Sequence, residues 1–569
     1  MTRWISKIKK NFGKIARLSA MRPGARHVAS AGVGAGIDDL PALAGLGAAL
    51  VDKIRGEFDA DFYLERYEDV RKAGVDPFRH YLTYGWSENR DPSREFSTAF
   101  YSEQSPDVLA AGINPFVHWV LSGRDEGRVS KRPGGVKYDM LLRQRSLSEM
   151  AEEWRRKDAP PVLALADEIV QLINLANFAK HDRMLLSIGH DHYRQVSGGV
   201  QFTLQREENL SSGNGRLYVN LHPWGPRPCL AAEGEDILLQ VVANGRDVAV
   251  IAMSEWVLAM RRLSNMFEAC DIVIHHLMGH SPEGVAEMIS AAGQTSCFVW
   301  VHDFFTVCPS YALQRNNVAF CGAPDIESNA CGICLYGAER RDHQRRMKRF
   351  FDLVAVNLIA PSQAALDLWL ERSGLQAASV QVVPHADLSQ TSVTRQRKDN
   401  APAVRVAFVG FPALHKGWQE FVALAAAFRQ DPKFEFYYFG SQKPPASGLR
   451  FVPVSVSAET PNAMVDALAE NEIDLVIHWA SCFETFSFST IEAISSGAFV
   501  VTNPASGNVA ALVKVTNAGV VLSDMADLKA FFVDGRLDAL VTRRRLAHKV
   551  HAWNATPSAL TYALLGVNA

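Results

Sequence analysis

From residue 183 onward, short apolar runs of strand length alternate with helix-length stretches, at 184–188, 216–221, 248–251, 272–275, 298–301 and 358–359. A second set, at 404–409, 434–439, 475–478 and 499–501, follows a polar stretch at 392–402. Strands this short and this apolar have to be covered on both faces, and the intervening helices are the cover. The pattern therefore predicts α/β architecture with parallel sheets. Two such sets joined by a polar linker predict two Rossmann-like domains, over 183–391 and 403–545, facing each other across a cleft. A chain of 569 residues has room for both and for a further region. In open sheets of this kind ligands bind outside the carboxyl ends of the strands, so the loops at those ends are where chemistry is sought. The last stretch, 546–569, is expected to be a helix that crosses back to the first domain.

Four strand ends carry suggestive residues. The first strand runs into Ile188-Gly189-His190, and Gly198-Gly199 stands before the next helical stretch. A glycine pair there lets backbone N–H groups approach an anion, although glycine pairs are also ordinary turn formers. The run at 298–301 ends in His302-Asp303. That imidazole either faces the cleft or caps the following helix. In the second set, Gly410 is followed by Phe411 and then His415-Lys416-Gly417. Lys416 falls at a helix start, where an ammonium and the helix dipole can face one phosphate, unless it is simply an exposed lysine. The most informative segment runs from Glu484 to Glu492 and leads into an apolar helix. A loop carboxylate can reach a sugar and a carboxylate on the first turns can accept from a diol. The N–H groups of Phe488, Ser489 and Thr490 would lie between them, aimed at a diphosphate. Solvation of one Glu and dipole satisfaction by the other would explain the spacing equally well. No G-x-G-x-x-G follows a strand, which argues against a dinucleotide-dependent dehydrogenase.

Taken together and in order, Glu484-x7-Glu492, Gly198-Gly199, His302 and His415-Lys416-Gly417 resemble glycosyltransferase family 4, which has the GT-B fold. The match spans about residues 183–545. The resemblance implies retaining transfer of a sugar from a nucleotide-diphosphate sugar, without an essential divalent metal or other cofactor. It implies that Glu484 contacts the donor sugar and supports the charged transition state. Glu492 would hold the ribose, His302 would lie by the transferred sugar, and Lys416 would neutralise the leaving diphosphate. Two positions depart from the family pattern: Phe411 stands where an Arg is usual, and Ser487 where a Gly is usual. These departures keep a second reading open, a catalytically weak or inactive sugar-nucleotide-binding scaffold acting through its N-terminal region.

Cys308, Cys321, Cys331 and Cys334 lie within one insert, 308–334. The Cys331-x2-Cys334 spacing suits a metal ion, and four thiolates complete a tetrahedral structural zinc site. Reduced thiols or a disulfide are the alternatives.

Ahead of the two domains, Phe58, Asp69, Gly74, Pro77, His80, Gly85 and Arg90 recur as Phe96, Asp107, Gly112, Pro115, His118, Gly123 and Arg128. Every pair is 38 apart (96 − 58, 128 − 90), which marks 56–131 as two copies of one helical unit. His80 and His118 are read as packing residues. The unit resembles tandem repeats found ahead of bacterial surface-polysaccharide glycosyltransferases, a resemblance that gives context and no chemistry and implies a docking role toward an acceptor, partner or membrane; the expected acceptor is a glycan or lipid-linked glycan. Residues 132–182 read as a helical connector. Residues 1–55 combine a basic amphipathic start with an Ala/Gly-rich flexible linker. Arg3, Lys7, Lys9, Lys10, Lys14 and Arg17 oppose an arc holding Trp4, Ile8 and Phe12, a pattern suited to an anionic membrane surface. No run of ~20 apolar residues predicts a membrane span, and no secretory signal is expected. With a net charge of −2 the chain gives no case for nucleic acid as a partner. The expected location is the cytoplasm, peripheral to the inner face of the plasma membrane.

Overall fold

The computed structural model describes residues 40–565 except 44–45, 132–134, 143, 157, 159–160, 394–402, 444–447, 458–459 and 547–549. The amphipathic start lies outside the described residues. The chain forms two units, one within the first 142 residues and one from there onward.

In the first unit the helices Ala60–Arg66, Glu68–Ala73 and Pro77–His80 lead into a wide turn, Tyr81–Gly85. Thr98–Gln104, Pro106–Ala110, Pro115–His118 and Trp119–Gly123 follow in the same order. The starts pair at one offset: 60 with 98, 68 with 106, 77 with 115, 81 with 119. The reason lies in local chemistry. Asp76 and Asn114 cap helices that begin with proline. Tyr63 and Tyr101 are buried, and their hydroxyls sit 3.0 and 2.8 Å from Nδ1 of His80 and His118. Those hydroxyls also explain two glycines, because a Cβ on Gly85 or Gly123 would lie 2.1 Å from the oxygen. Bidentate pairs Arg90–Asp69 and Arg128–Asp107 brace the outside. The expected flexible linker gives way at its end to structure: Leu40 and Leu43 are buried in this core and Ala48–Glu57 is helical.

The second unit holds two sheets. The larger has nine strands in the order Leu163–Ala164, Arg246–Ala252, Leu238–Ala243, Arg216–Pro223, Arg183–Ile188, Ala269–Ile274, Ser296–Trp300, Ala355–Ala360 and Ser379–Val382. From Arg216–Pro223 to Ser379–Val382 every pairing is parallel. Leu238–Ala243 is antiparallel to both of its neighbours, so the expectation of a wholly parallel sheet holds for the centre and one flank only. A short turn at Asn244-Gly245 makes a hairpin there, and a hairpin joins antiparallel strands. Residues 163–176, assigned above to the connector, join this domain. They add an edge strand and a helix whose Ile169 and Ile173 are fully buried in its core. The helix Met253–Leu263 shows how cover is provided: Trp256, Val257, Met260 and Leu263 form one buried stripe.

The smaller sheet has six parallel strands, ordered Arg450–Pro453, Phe434–Gly440, Val404–Val409, Leu475–Ile477, Phe499–Thr502 and Gly519–Val521. In chain order this is 3-2-1-4-5-6, the doubly wound arrangement whose order reverses between the first and fourth strands. The fold is therefore α/β with two Rossmann-like domains, the arrangement of the GT-B class.

The chain's end corrects one expectation. After the helix Arg536–Leu546, residues Val550–Pro557 form a strand, not a helix. It pairs antiparallel with Ala386–Val393, and this ribbon packs on the second domain through Leu388 and Trp553. The partner that stabilises this strand lies more than 150 residues away in sequence. The short turn Leu560–Ala563 then buries Leu560, Thr561 and Tyr562 in the first domain.

Candidate active site

The reversal point of the second sheet lies between Val404–Val409 and Leu475–Ile477, so the loops leaving those two strands flank one crevice. One holds Lys416 and the other Glu484. Lys416 Nζ donates to Glu484 Oε1 at 3.2 Å. Gly417 makes this approach feasible. Its φ is +83°, and a Cβ there would lie 2.2 Å from the Trp479 carbonyl oxygen, so no other residue lets the two loops pass so closely. His415 accepts at its carbonyl from the Ser481 N–H at 2.8 Å, which locks the loops together. Burial works against the Glu484 charge, but Lys416 and then His478 hold its carboxyl below the ordinary value. Glu484 in turn raises Lys416. At neutral pH the pair is ionised.

The helix Phe488–Ser496 starts beside Glu484. Its cap corrects the expected anion cradle. Ser487 Oγ accepts from the Thr490 N–H at 3.2 Å, so of the three N–H groups only those of Phe488 and Ser489 remain without a partner among the described residues. Ser487 thus adds a conventional N-cap and removes one donor from any ligand. Its hydroxyl also lies 3.1 Å from His478 Nε2. Glu492, on the second turn, has no hydrogen-bond partner among the described residues, and burial pushes its carboxyl up to about 7. Phe411 is exposed, with no cation in its place.

The first domain meets this crevice with its own strand ends. Its order reverses between Arg183–Ile188 and Ala269–Ile274. The helix Gly199–Gly213 begins after an extended Gly198, with no side chain capping it. Gly199 lies against the Phe488 ring, which also meets Phe202 edge-on at 5.4 Å. Two helix N-termini therefore face one another across the junction. His302, at the end of Ser296–Trp300, accepts at its carbonyl from the Thr485 hydroxyl, and Ser362 Oγ donates to the Thr485 carbonyl at 2.7 Å. Gln314 of the cysteine-bearing insert donates to Ser481 at 3.1 Å, and Phe304 and Phe320 pack on Phe483. Of the sequence-derived residues, Gly199 touches Phe488, His302 meets the Glu484 loop through Thr485, and Lys416 pairs with Glu484, whereas Thr490 is wholly buried.

The four cysteines share one neighbourhood: Cys308 feels Cys321 and Cys334, and Cys321 feels Cys334 and Cys331. Among the described residues no group of three or more His, Cys, Asp or Glu side chains is arranged to hold a metal ion. Cys331 Sγ accepts from the Arg340 guanidinium at 3.0 Å, Cys321 donates to the Leu313 carbonyl, and burial pushes the Cys308 thiol up to about 12. The zinc set expected from Cys308, Cys321, Cys331 and Cys334 therefore stays an expectation, with its thiols as neighbours but without a metal-holding arrangement among the described residues.

Residues that sequence reasoning missed lie behind His302. His275 Nδ1 is 2.8 Å from His302 Nε2, and His275 Nε2 is 2.8 Å from Glu207 Oε2. Trp300, His302, His385 and Phe488 form a stack, with successive centroids 5.2, 5.2 and 5.7 Å apart. His385 leads into the ribbon that joins the domains, and Arg206 donates to its carbonyl and to that of Ser558. Burial holds His302 well below its ordinary value and takes His385 down to about 3, so both rings are neutral. His275 ends a strand just as His302 does, and that shared position was the available signal. Glu207, inside a polar helical stretch, offered none.

No protein-family model and no curated protein matches the chain. Among solved structures it is similar to Anabaena HepE in complex with UDP-glucose, with TM-score 0.39 and 12% identity over 64% of this chain and 93% of that one. It is also similar to WaaG, a glycosyltransferase involved in lipopolysaccharide biosynthesis, with TM-score 0.37 and 14% identity over 63% and 94%. A third is the UDP-forming α,α-trehalose-phosphate synthase of Burkholderia vietnamiensis, with TM-score 0.36 and 10% identity over 65% and 92%. Likenesses this distant leave the functional reading to rest on the site itself.

Proposed function

We propose that the chain is a retaining glycosyltransferase. It moves a sugar from a nucleotide-diphosphate sugar to a glycan or lipid-linked acceptor in cell-surface polysaccharide biosynthesis. The observation that carries this reading is the Lys416–Glu484 pair at the reversal point of the second sheet, facing His302 of the first domain through Thr485. Departure of a diphosphate from a sugar leaves positive charge on the sugar ring and negative charge on the phosphate. A preorganised carboxylate and ammonium 3.2 Å apart stabilise both at once as the bond between them lengthens. Lys416 and the N–H groups of Phe488 and Ser489 supply the field at the leaving group that a divalent cation would otherwise supply. Glu492, with no hydrogen-bond partner among the described residues, is the natural acceptor for the ribose hydroxyls. The acceptor enters from the first-domain side. The basic start of the chain would hold the enzyme at an anionic membrane surface, on the cytoplasmic side, where a lipid-linked acceptor is presented.

The capped Thr490 N–H and the exposed Phe411 favour a second reading, a sugar-nucleotide-binding scaffold of weak or no activity. One pair of measurements separates the two. Thermal shift against UDP- and GDP-sugars identifies the donor, because a ligand that binds only the folded state raises its stability. Glu484→Gln should then keep donor binding but cut transfer by about 10²–10³-fold. Binding without any turnover in the native chain supports the scaffold. Near-normal turnover in the variant removes Glu484 from the chemistry.

A further inference from the structure

Behind the junction, a line of polar side chains runs through the core of the first domain. Glu207 and His275 have no exposed side-chain surface. Their partners constrain the protons along the line. The Trp300 indole N–H can only donate, and it does so to Thr561 Oγ1 at 2.9 Å. The Thr561 hydroxyl proton is then free to go to its other neighbour, Glu207 Oε1. The Tyr218 hydroxyl lies 3.0 Å from Ser187 Oγ and 3.3 Å from Glu207 Oε2, so its single proton is shared between that hydroxyl and the carboxylate. A carboxylate surrounded by donors accepts at each contact, so the proton between it and His275 belongs to His275 Nε2. For a neutral His275, Nδ1 is then a bare acceptor, and the proton in the 2.8 Å contact belongs to His302 Nε2. What remains is His302 Nδ1, on a half-buried side chain, with no hydrogen-bond partner among the described residues.

We propose that Glu207, His275 and Thr561 form a positioning chain that holds His302 as the Nε2–H tautomer and so presents a bare Nδ1 lone pair to a hydroxyl of the bound sugar. The chain rests on the reading of His302 as a residue beside the transferred sugar. His275 and His302 lie edge to edge in nearly one plane, 10° apart, and the Trp300 ring is parallel to His275 within 9°, so the ring planes are set while the hydrogen bonds set their protons. Thr561 gives the chain its reach. It belongs to the turn that follows the inter-domain ribbon, and Ser211 and Tyr562 seat that turn through a 2.5 Å hydroxyl contact. The C-terminal turn is thus a structural member of the donor site although it never enters the junction. With the opposite tautomer His302 would present an N–H donor, and a hydroxyl oriented as a donor would lose its acceptor.

The test uses the full chain labelled with 15N-histidine. Long-range 1H–15N correlation reads the tautomer of each neutral imidazole, and His302→Ala identifies the His302 signals. The expected pattern is Nε2–H for His302 and for His275. Glu207→Gln lets an amide N–H₂ face His275 and should disturb both patterns. Thr561→Val should disturb them as well, and Thr561→Ser should restore them. With UDP-glucose, UDP-N-acetylglucosamine and GDP-mannose as donor probes, Glu207→Gln and Thr561→Val should lower kcat by about 10- to 100-fold with KM unchanged. Thr561→Ser should recover the rate. An Nδ1-protonated or doubly protonated His302 in the native chain overturns the proposal even if no probe turns over. If His302→Ala turns over normally while the tautomer is as expected, it is the donor-side reading of His302 that fails and the chain is purely structural.

Discussion

Glu492 offers the sharpest quantitative test of the site. Its carboxyl has no hydrogen-bond partner among the described residues, and burial moves it from 4.5 to about 7. The sign follows from linkage. Below pH 4.5 the group is protonated in both the folded and the unfolded chain and costs nothing. Between 4.5 and 7 the unfolded chain gives up the proton and the folded chain keeps it, so stability falls as pH rises. Above 7 the full penalty is present. A difference of about 2.5 between the two values corresponds to at most ~3 kcal/mol, and the partial access of solvent to this side chain reduces that to ~1–2 kcal/mol. Glu492→Gln removes the titration. Relative to the native chain, the variant should gain about 1–2 kcal/mol between pH 5 and pH 8. Urea unfolding followed by tryptophan fluorescence at the two pH values measures the gain. The same variant should bind the donor more weakly, because an amide cannot accept from two ribose hydroxyls as a carboxylate does. A stability difference that is identical at pH 5 and pH 8 would falsify the reasoning about the buried carboxyl.

Lys416→Ala should raise the donor Kd by about 10- to 100-fold, through loss of a charge-assisted contact of ~1.5–3 kcal/mol; calorimetry giving unchanged affinity would place the diphosphate elsewhere. Gly85→Ala should destabilise the repeat region by about 1–3 kcal/mol, since its Cβ meets the Tyr63 hydroxyl. Tyr63→Phe in the same chain should recover part of that loss, and a thermal melt without any recovery would show that the clash is not with the hydroxyl. The full chain should co-sediment with anionic vesicles at low salt, each basic residue near the surface contributing about 1 kcal/mol. A chain beginning near residue 56 should not, and equal binding by both would remove the membrane role from residues 1–20.

The local grammar of this protein was legible without coordinates. Strand-length apolar runs set the α/β class, because only burial on both faces satisfies them. The Asp76-Pro77 and Asn114-Pro115 starts, and the matching Gly85 and Gly123, followed from a fixed period. Lys416, Glu484 and His302 could be placed at strand ends, and strand ends are where such sheets bind ligands. Legibility ended where a side chain's partner is distant in sequence. Ser487 could be seen to differ from a glycine, but its capture of the Thr490 N–H depends on the backbone angle at that turn. The strand Val550–Pro557 looked like the end of a helix because its partner, Ala386–Val393, is reached only after the whole second domain has folded. Four cysteines suggested a metal by their spacing, and the fold of the insert is what brings Cys308 and Cys321 near Cys331 and Cys334. Glu207 read as one more charge on a helix, yet Thr561, 354 residues away, makes it the buried end of a hydrogen-bonded line. Periodicity reports which face of an element is covered, a property of neighbours along the chain. Which groups share a proton is decided by crossovers between elements, and these exist only once the chain has closed on itself.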